Sequence, residues 1–314
     1  MFTWPEEVAE VVSSGRSITE LRRVGPWVAR TIHELLEAEP EVPEPPALRD
    51  GFLTRSEARA AVAEHGEWPA ALRGDLQMHT TYSDGGASLR EMAGAAGTLG
   101  YEFVGITDHS KGLAIAGGMD EDRLAEQAAD IAAVNTELEA AGTGPRVLHS
   151  IEMNLSPDGE GDMEVDALAR LDLVLGAFHS KLRLTEDQTE RYLAGVRNPT
   201  VHVLAHPRCR IYDRRAGLWC DWGRVFEEVA ALDKALEIDA SPYRQDLDVE
   251  LLEIARESGC RISIGTDAHS IYELDYMEFG LAAAIRSGIP MDRILNFHPV
   301  EDVLSWAESS RIQR

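Results

Sequence analysis

Cysteine is scarce in this 314-residue chain: Cys209, Cys220 and Cys260 are odd in number, and none sits in a CxxC pair. That argues against a disulfide framework or a zinc ribbon and suits reduced thiols in a cytosolic protein. Basic residues are also short, 30 against 55 acidic, for a formal net charge of −25. A surface of that sign repels polyanions and membranes, so any nucleic-acid contact has to be local. No apolar run approaches the roughly 18 residues that a membrane-spanning helix requires. The opening Met1-Phe-Thr-Trp-Pro-Glu-Glu7 is acidic where a secretion signal is basic. Neither secretion nor membrane insertion is expected, and the expected location is cytoplasmic.

What is present is an apolar fraction of 44%, ample for a buried core. The Pro and Glu tract Glu39–Pro46 removes amide donors and forces extended backbone, which reads as a linker. Thr54-Arg-Ser-Glu57 then has capping-box spacing and opens Ala-rich, helix-forming sequence to about Glu64. Three parts are expected: a helical unit over 1–38, a linker and connecting helix over 39–73, and a barrel over 74–314.

From Asp75 onward short apolar runs alternate with amphipathic stretches, the pattern of β/α units on a parallel sheet. The runs are 75–79, 102–107, 146–152, 171–178, 201–206, 235–239 and 261–266. Helices are expected near 88–99, 121–140, 186–197, 221–233, 248–258 and 276–287. Seven such units closing on themselves give an α/β fold, a (β/α)7 relative of the eight-stranded TIM barrel, with a small all-helical N-terminal extension. The metal-competent residues fall at or just beyond the strands' carboxyl ends: Gln77, His79, Asp84, His109, Glu152, His179, His206, Asp267 and His269. Side chains from different strands converge on that face of a β/α barrel. One His at a strand end is usually a satisfied polar residue, but five His, three carboxylates and a Gln at six strand ends point to a shared centre. Imidazole and carboxylate without thiolate suit zinc, manganese or iron. His33, His65, His149, His202 and His298 do not share the placement and read as structural or surface residues.

The same residues carry a resemblance. Asp75-Leu-Gln-Met-His79, Ser83-Asp84-Gly85, Thr107-Asp-His109, Glu152, Phe178-His-Ser180, Ala205-His-Pro207 and Thr266-Asp-Ala-His269 resemble, in order, the motifs of the polymerase and histidinol phosphatase (PHP) domain over about residues 74–296. Asp108-His-Ser-Lys-Gly-Leu-Ala-Ile-Ala-Gly117 and Ser241-Pro-Tyr-Arg244 look like the PHP domain attached to bacterial family X DNA polymerases. The residues before the barrel are too few to hold that polymerase's catalytic domain.

The resemblance implies a distorted seven-stranded barrel with two or three divalent ions. His79, Glu152 and Asp267, helped by Gln77, would hold one ion; Glu152, His179 and His206 a second; Asp84, His109 and His269 a third. Gln77 stands where the family has His, and its amide oxygen is a neutral, weaker donor. Clustered divalent ions acidify a shared water and hold a phosphate oxygen, so attack of hydroxide on phosphorus is the expected chemistry. Glu152, Asp267, His179 and Arg210 are the expected catalytic residues. Arg210, from the family's His-Pro-x-x-Arg segment, would bind the phosphoryl group, with Lys111, Lys181 and Arg244 as further basic residues in loops after barrel strands.

Ser17–Leu36 resembles a helix-hairpin-helix, with a turn at Val24-Gly25 and Pro26 at the first position of a second helix. Such hairpins bind DNA phosphates through backbone amides. Arg23 replaces the usual first glycine, and Arg16, Arg22, Arg23 and Arg30 make a local basic cluster, so Arg22, Arg23 and Gly25 are candidate DNA contacts. The expected function is processing of DNA ends: 3′–5′ exonuclease, 3′-phosphatase or abasic-site cleavage, with a role in DNA repair. The alternatives are a small-molecule phosphatase acting on histidinol phosphate and a non-catalytic DNA-end-binding scaffold.

Overall fold

Seven parallel strands lie side by side in chain order, β1 to β7, in a computed structural model that describes residues 2–41 and 43–312. Met1 of the expected helical unit, Val42 of the expected linker, and Gln313 and Arg314 of the expected barrel lie outside the described residues. The strands are β1 (Gly74–Met78), β2 (Phe103–Ile106), β3 (Arg146–Leu155), β4 (Leu173–Phe178), β5 (Val203–Leu204), β6 (Ala235–Asp239) and β7 (Arg261–Gly265). Each matches one of the seven apolar runs.

The helices in chain order are α1 (Val8–Ser13), α2 (Pro26–Ala38), α3 (Arg55–Glu64), α4 (Glu67–Ala71), α5 (Leu89–Thr98), α6 (Glu121–Ala141), α7 (Val165–Leu168), α8 (Thr189–Arg197), α9 (Trp222–Ala231), α10 (Val249–Glu257), α11 (Met277–Ser287) and α12 (Val300–Ile312). The capping box at Thr54 forms with both of its reciprocal bonds to Glu57. α3 joins the outer layer through Arg55 and Arg59, which both pair with Glu278 on α11.

Strand alternation divides the barrel lumen by depth. Leu173, Leu175 and Ala177 of β4 cluster with Phe103, Leu148, Val203 and Ala235 at the amino-terminal end, where Val303, Trp306 and Ala307 of α12 plug the opening. Two residues beyond Ala177, in the same alternation, stands His179. The lumen is therefore apolar below and polar at its mouth.

β1 and β7 do not pair by a regular ladder. Two backbone bonds, from the His79 amide to the Ala268 carbonyl and from the Asp267 amide to the Gln77 carbonyl, close their seam together with side chains: Asp75 accepts from both the amide and hydroxyl of Thr266. Asn296, fully buried, accepts from the Ile264 amide and donates to the carbonyls of Ile264 and Gly74.

The N-terminal segment departs from expectation. Residues 17–23 form no α-helix: Ile18–Glu20 is a single 3-10 turn that Ser17 caps. Leu21 is extended and Arg23 is left-handed at φ 68°, which ends any helix there. The helix lies earlier, at α1, and α2 begins with Pro26 at its first position, as expected. Val11, Ile18, Leu21, Val24 and Ile32 form a small core separate from the barrel's. Arg16 is paired with Glu6 and Glu20, which takes it out of the expected basic cluster. No helix among the described residues is long and apolar enough to cross a membrane.

Two predictions follow from this frame. Asn296→Ala leaves buried backbone groups of both seam strands without partners and should cost about 3 kcal/mol in a urea melt, at roughly 1–3 kcal/mol per orphaned group. His202, on the approach to β5, is pushed down to about 3 by burial and by the charges of Arg311 and Lys234. The unfolded chain therefore binds more protons than the native one between pH 6.5 and about 3, and stability falls as pH falls through that window. From pH 7 to pH 5 this one group should remove about 2 kcal/mol, a loss that His202→Gln should abolish in parallel melts.

Candidate metal centre

Glu152, at the carboxyl half of β3, is 1% exposed and lies at the middle of the barrel mouth. Its Oε1 is 2.8 Å from His206 Nε2 and 3.1 Å from His179 Nε2. Its Oε2 is 3.2 Å from Gln77 Nε2, 3.3 Å from His109 Nδ1 and 3.4 Å from His79 Nε2. Asp267, just past β7, meets His79 Nε2 at 3.1 Å and Arg244 Nε at 3.2 Å. On the outer side Asp84 Oδ1 is 3.3 Å from His269 Nε2 and 3.6 Å from His109 Nε2. The His79 ring stacks between those of His109 and His269, at 4.4 and 4.3 Å. All nine positions singled out in the sequence meet here.

Three groups have donor atoms within 4.8 Å of one another: His79, Asp84, His109 and His269; His109, Glu152 and His179; and His79, Glu152 and Asp267. The last coincides with an expected ligand set and the first contains another. In the middle group His109 stands where His206 was expected; His206 touches Glu152 but lies outside all three. The donor set fits divalent ions: buried Gln77 Oε1 has no hydrogen-bond partner in the protein, and His109 Nδ1 and His179 Nε2 turn to Glu152. His206 and Asp267 carry φ angles of 28° and 53°. Non-glycine residues in this region are strained, and such strain concentrates at functional sites.

The charges are strongly coupled. Burial pushes the Glu152 carboxyl up, but His109, His206 and His179 hold it well below the usual range. Asp267 is likewise lowered, against burial, by His79 and Arg244. His79 is raised, against burial, by Asp267 and Glu152, whereas burial depresses His109 to about 4. Beneath them Glu237 and Asp239 are driven well above the carboxylate range by burial.

Several supporting residues were not singled out in the sequence. Asp108 is fully buried and accepts from the Thr80 and Ser83 amides, both of their hydroxyls and Gln127 Nε2, which shapes the loop that carries Asp84. Strand alternation points it away from its neighbour His109. Asn154 Oδ1 lies 3.3 Å from His179 Nδ1, and the Asp267 carbonyl 2.8 Å from His269 Nδ1. These contacts fix which ring nitrogen each imidazole turns to the centre. Glu237 accepts from the His206 amide. Asn154, two residues past Glu152 on the same strand face, was the one legible from spacing.

The basic residues divide. Arg244 reaches the centre through Asp267 and Asp239. Arg210 does not, which corrects its expected catalytic and phosphate-binding role. It is 2% exposed, and all three of its nitrogens donate elsewhere: Nε to the Arg244 and Gln245 carbonyls, Nη1 to Asp248 and the Asp50 carbonyl, Nη2 to the Gly51 carbonyl. Its guanidinium lies 3.8 Å from the Phe52 ring centroid. Arg210 thus ties the 50–52 segment to the loop carrying Arg244. Lys111 is paired with Glu121 at 2.7 Å. Lys181, two residues past His179, is exposed. Arg22, Arg23 and Gly25 are exposed on the turn before α2 and are not among the clustered residues.

No family model matches the chain. It is 40% identical over 233 residues to the DNA polymerase/3′-5′ exonuclease PolX of Bacillus subtilis (strain 168), a match covering 74% of this chain and 40% of that protein. It is 27% identical over 246 residues to the probable phosphatase YcdX of Escherichia coli (strain K12), covering 75% of this chain and 94% of that one. A solved structure of a candidate histidinol phosphatase from Listeria monocytogenes shares the fold, with a TM-score of 0.50 at 11% identity over 64% of this chain and 97% of its own.

Arg210→Ala should act on structure. Breaking a buried ion pair costs roughly 3–5 kcal/mol. A fall in urea stability of about 3 kcal/mol is expected, from the low end of that range, with faster proteolytic cutting between residues 39 and 53.

Proposed function

We propose that this chain is a metal-dependent phosphoesterase of the PHP type that acts on DNA ends. The observation that carries the hydrolase reading is Glu152, a buried carboxylate within 3.4 Å of four imidazoles and shared by two metal-competent groups. Hydrolases of phosphate esters are also what the names of the similar proteins describe. His79, Glu152 and Asp267 would hold one ion, His109, Glu152 and His179 another with His206 alongside, and Asp84, His109 and His269 a third. Bound there, zinc, manganese or iron supplies an acidified water and neutralises phosphate charge.

The chain's own residues set up that chemistry. Burial keeps the His109 imidazole neutral at pH 7, so its lone pair is available. Asn154 turns His179 toward Glu152. Arg244, half-buried and anchored to Asp267, is placed to bind the transferring phosphoryl group. Gln77 keeps its amide against Glu152 and offers a neutral oxygen where the family offers an imidazole.

DNA is favoured by the resemblance to the polymerase-attached domain and by three exposed rings on the loops after β5, β6 and β7: Trp219 at 60%, Tyr243 at 49% and Tyr272 at 80% exposure. Tyr243 adjoins Arg244, and Tyr272 follows His269 by three residues. Exposed rings beside a phosphate-cleaving centre suit stacking of bases. The phosphatase relative, matched over nearly its whole length, supports a small phosphate monoester as the second reading.

The test is a parallel assay of 3′-recessed DNA, 3′-phosphorylated DNA and histidinol phosphate with Mn²⁺ or Zn²⁺. Turnover on DNA is expected, abolished in His179→Ala and Asp267→Ala while the protein stays folded; turnover on the small phosphate alone would overturn the DNA reading. His79 is raised above the usual imidazole range, against burial, by Asp267 and Glu152, so metal ligation competes with its proton. Zinc titration calorimetry in buffers of different ionisation enthalpy should therefore show proton release, with affinity falling as pH drops. Uptake without proton release would contradict the ligand assignment.

A further inference from the structure

Gln77 on β1 and Glu237 on β6 are fully buried, and Gln77 Oε1 and Glu237 Oε1 have no hydrogen-bond partner in the protein. The two oxygens border one small space. A methyl group on Gly265 of β7 would lie 2.7 Å from Glu237 Oε1, 3.1 Å from Gln77 Oε1 and 2.4 Å from Gln77 Cβ. Only glycine leaves room there, so β7 lets an amide and a carboxylate face each other beneath the metal centre. The other end of each group is engaged: Gln77 Nε2 lies 3.2 Å from Glu152 Oε2, and Glu237 Oε2 accepts from the His206 amide at 2.7 Å. The backbone of Gln77 is fixed as well. Its amide donates to Asp75 at 3.2 Å, and its carbonyl accepts from the Asp267 amide at 3.1 Å.

Two acceptors that face one space leave each other unsatisfied, which is costly in a buried site. The same arrangement turns the amide's NH2 toward the group formed by His79, Glu152 and Asp267. An NH2 offers hydrogens to that group and no lone pair to a cation. Half a turn of the amide removes both faults: the oxygen then faces the ligand group and the NH2 donates to Glu237 Oε1. Amide oxygen and nitrogen have nearly the same shape, so the turn needs no repacking. A proton on Glu237 Oε1 would also fill the space, but it would hold Gln77 with its NH2 toward the cation.

We propose that Glu237 is a positioning residue for the metal centre: with metal bound, Gln77 turns its oxygen to the ion held by His79, Glu152 and Asp267, and Glu237 accepts from the amide's NH2. The proposal rests on the metal-centre reading and deepens it, because it makes the neutral Gln77 a defined ligand rather than an irregular place. Carboxylates behind metal ligands commonly fix which atom faces the ion. Glu237 also holds the His206 amide, so one carboxylate sets up two residues of the centre.

The test is zinc content and zinc affinity, by mass spectrometry and chelator competition, of the wild type, Glu237→Gln and the reciprocal variant Gln77→Glu/Glu237→Gln, each shown to be folded. In Glu237→Gln the introduced carbonyl goes to the His206 amide, which leaves an NH2 facing Gln77 and holds that amide turned away from the ion. One ion should then bind about 10–100-fold less tightly, the usual cost of losing such a partner. In the double variant the carboxylate at position 77 can give one oxygen to the ion and the other to the NH2 across Gly265. Its zinc affinity should return at least to the wild-type level. Unchanged zinc content and affinity in Glu237→Gln would show Glu237 to be a donor to Gln77, and a double variant no better than Glu237→Gln would remove the reciprocal contact; either overturns the proposal while the metal centre stands. Wild type that takes up no divalent ion would sink the metal-centre reading itself. If Glu237→Gln does not fold, crystals of zinc-loaded wild type decide the matter. One terminal atom of Gln77 should stand about 2.0–2.2 Å from an ion, the range of oxygen ligands, with the other against Glu237 Oε1. Both terminal atoms beyond ligation distance would overturn the proposal.

Discussion

A carboxylate buried among imidazoles is stable only if its charge is matched, and Glu152 organises the barrel mouth around that requirement. One oxygen faces His179 and His206, the other His79, His109 and Gln77, so residues from β1, β3 and the ends of β2, β4 and β5 all converge on two atoms. The parallel barrel makes this possible because every strand delivers its carboxyl end to the same mouth. Backbone bonds and buried side chains close the seam between β1 and β7, and α12 plugs the far end with apolar groups, so polar burial is confined to one end of the lumen.

The surrounding residues serve that hub at one remove. Asp108 shapes the turn that brings Asp84 inward, Asn154 and the Asp267 carbonyl set ring orientations, and Glu237 pins the left-handed backbone at His206. Arg210 belongs with these. Its guanidinium ties the 50–52 segment, and through it the N-terminal part of the chain, to the loop that presents Arg244. The chain's excess of negative charge is compatible with a phosphate substrate because Arg244 is held against the centre by Asp267.

Much of this was legible in the sequence. Strands announced themselves as apolar runs, and placement at their ends singled out the nine clustered residues, since a two-residue period fixes which side chains share the lumen. What failed did so for reasons that lie outside local pattern. Arg210 occupied a motif position, yet whether its guanidinium faces the centre depends on Asp248, Gly51 and Phe52, which are remote in sequence. The first helix of the N-terminal hairpin follows from the resemblance of Ser17–Leu36 to a helix-hairpin-helix with its turn at Val24-Gly25, while the left-handed Arg23 and the Ser17 cap restrict it to one 3-10 turn. α12 was not expected at all, because its role depends on the open end of a barrel that exists only once the strands have closed.

The central proposal is that Glu152, which belongs to two of the metal-competent groups, would serve two ions at once. The most direct measurement is metal stoichiometry, by inductively coupled plasma mass spectrometry, of the purified wild type and the isosteric Glu152→Gln variant, each first shown to be folded. The account predicts two or three bound ions in the wild type and a loss of at least one in the variant, because the removed charge serves two groups at once. A folded Glu152→Gln protein that retains the full wild-type complement would contradict it.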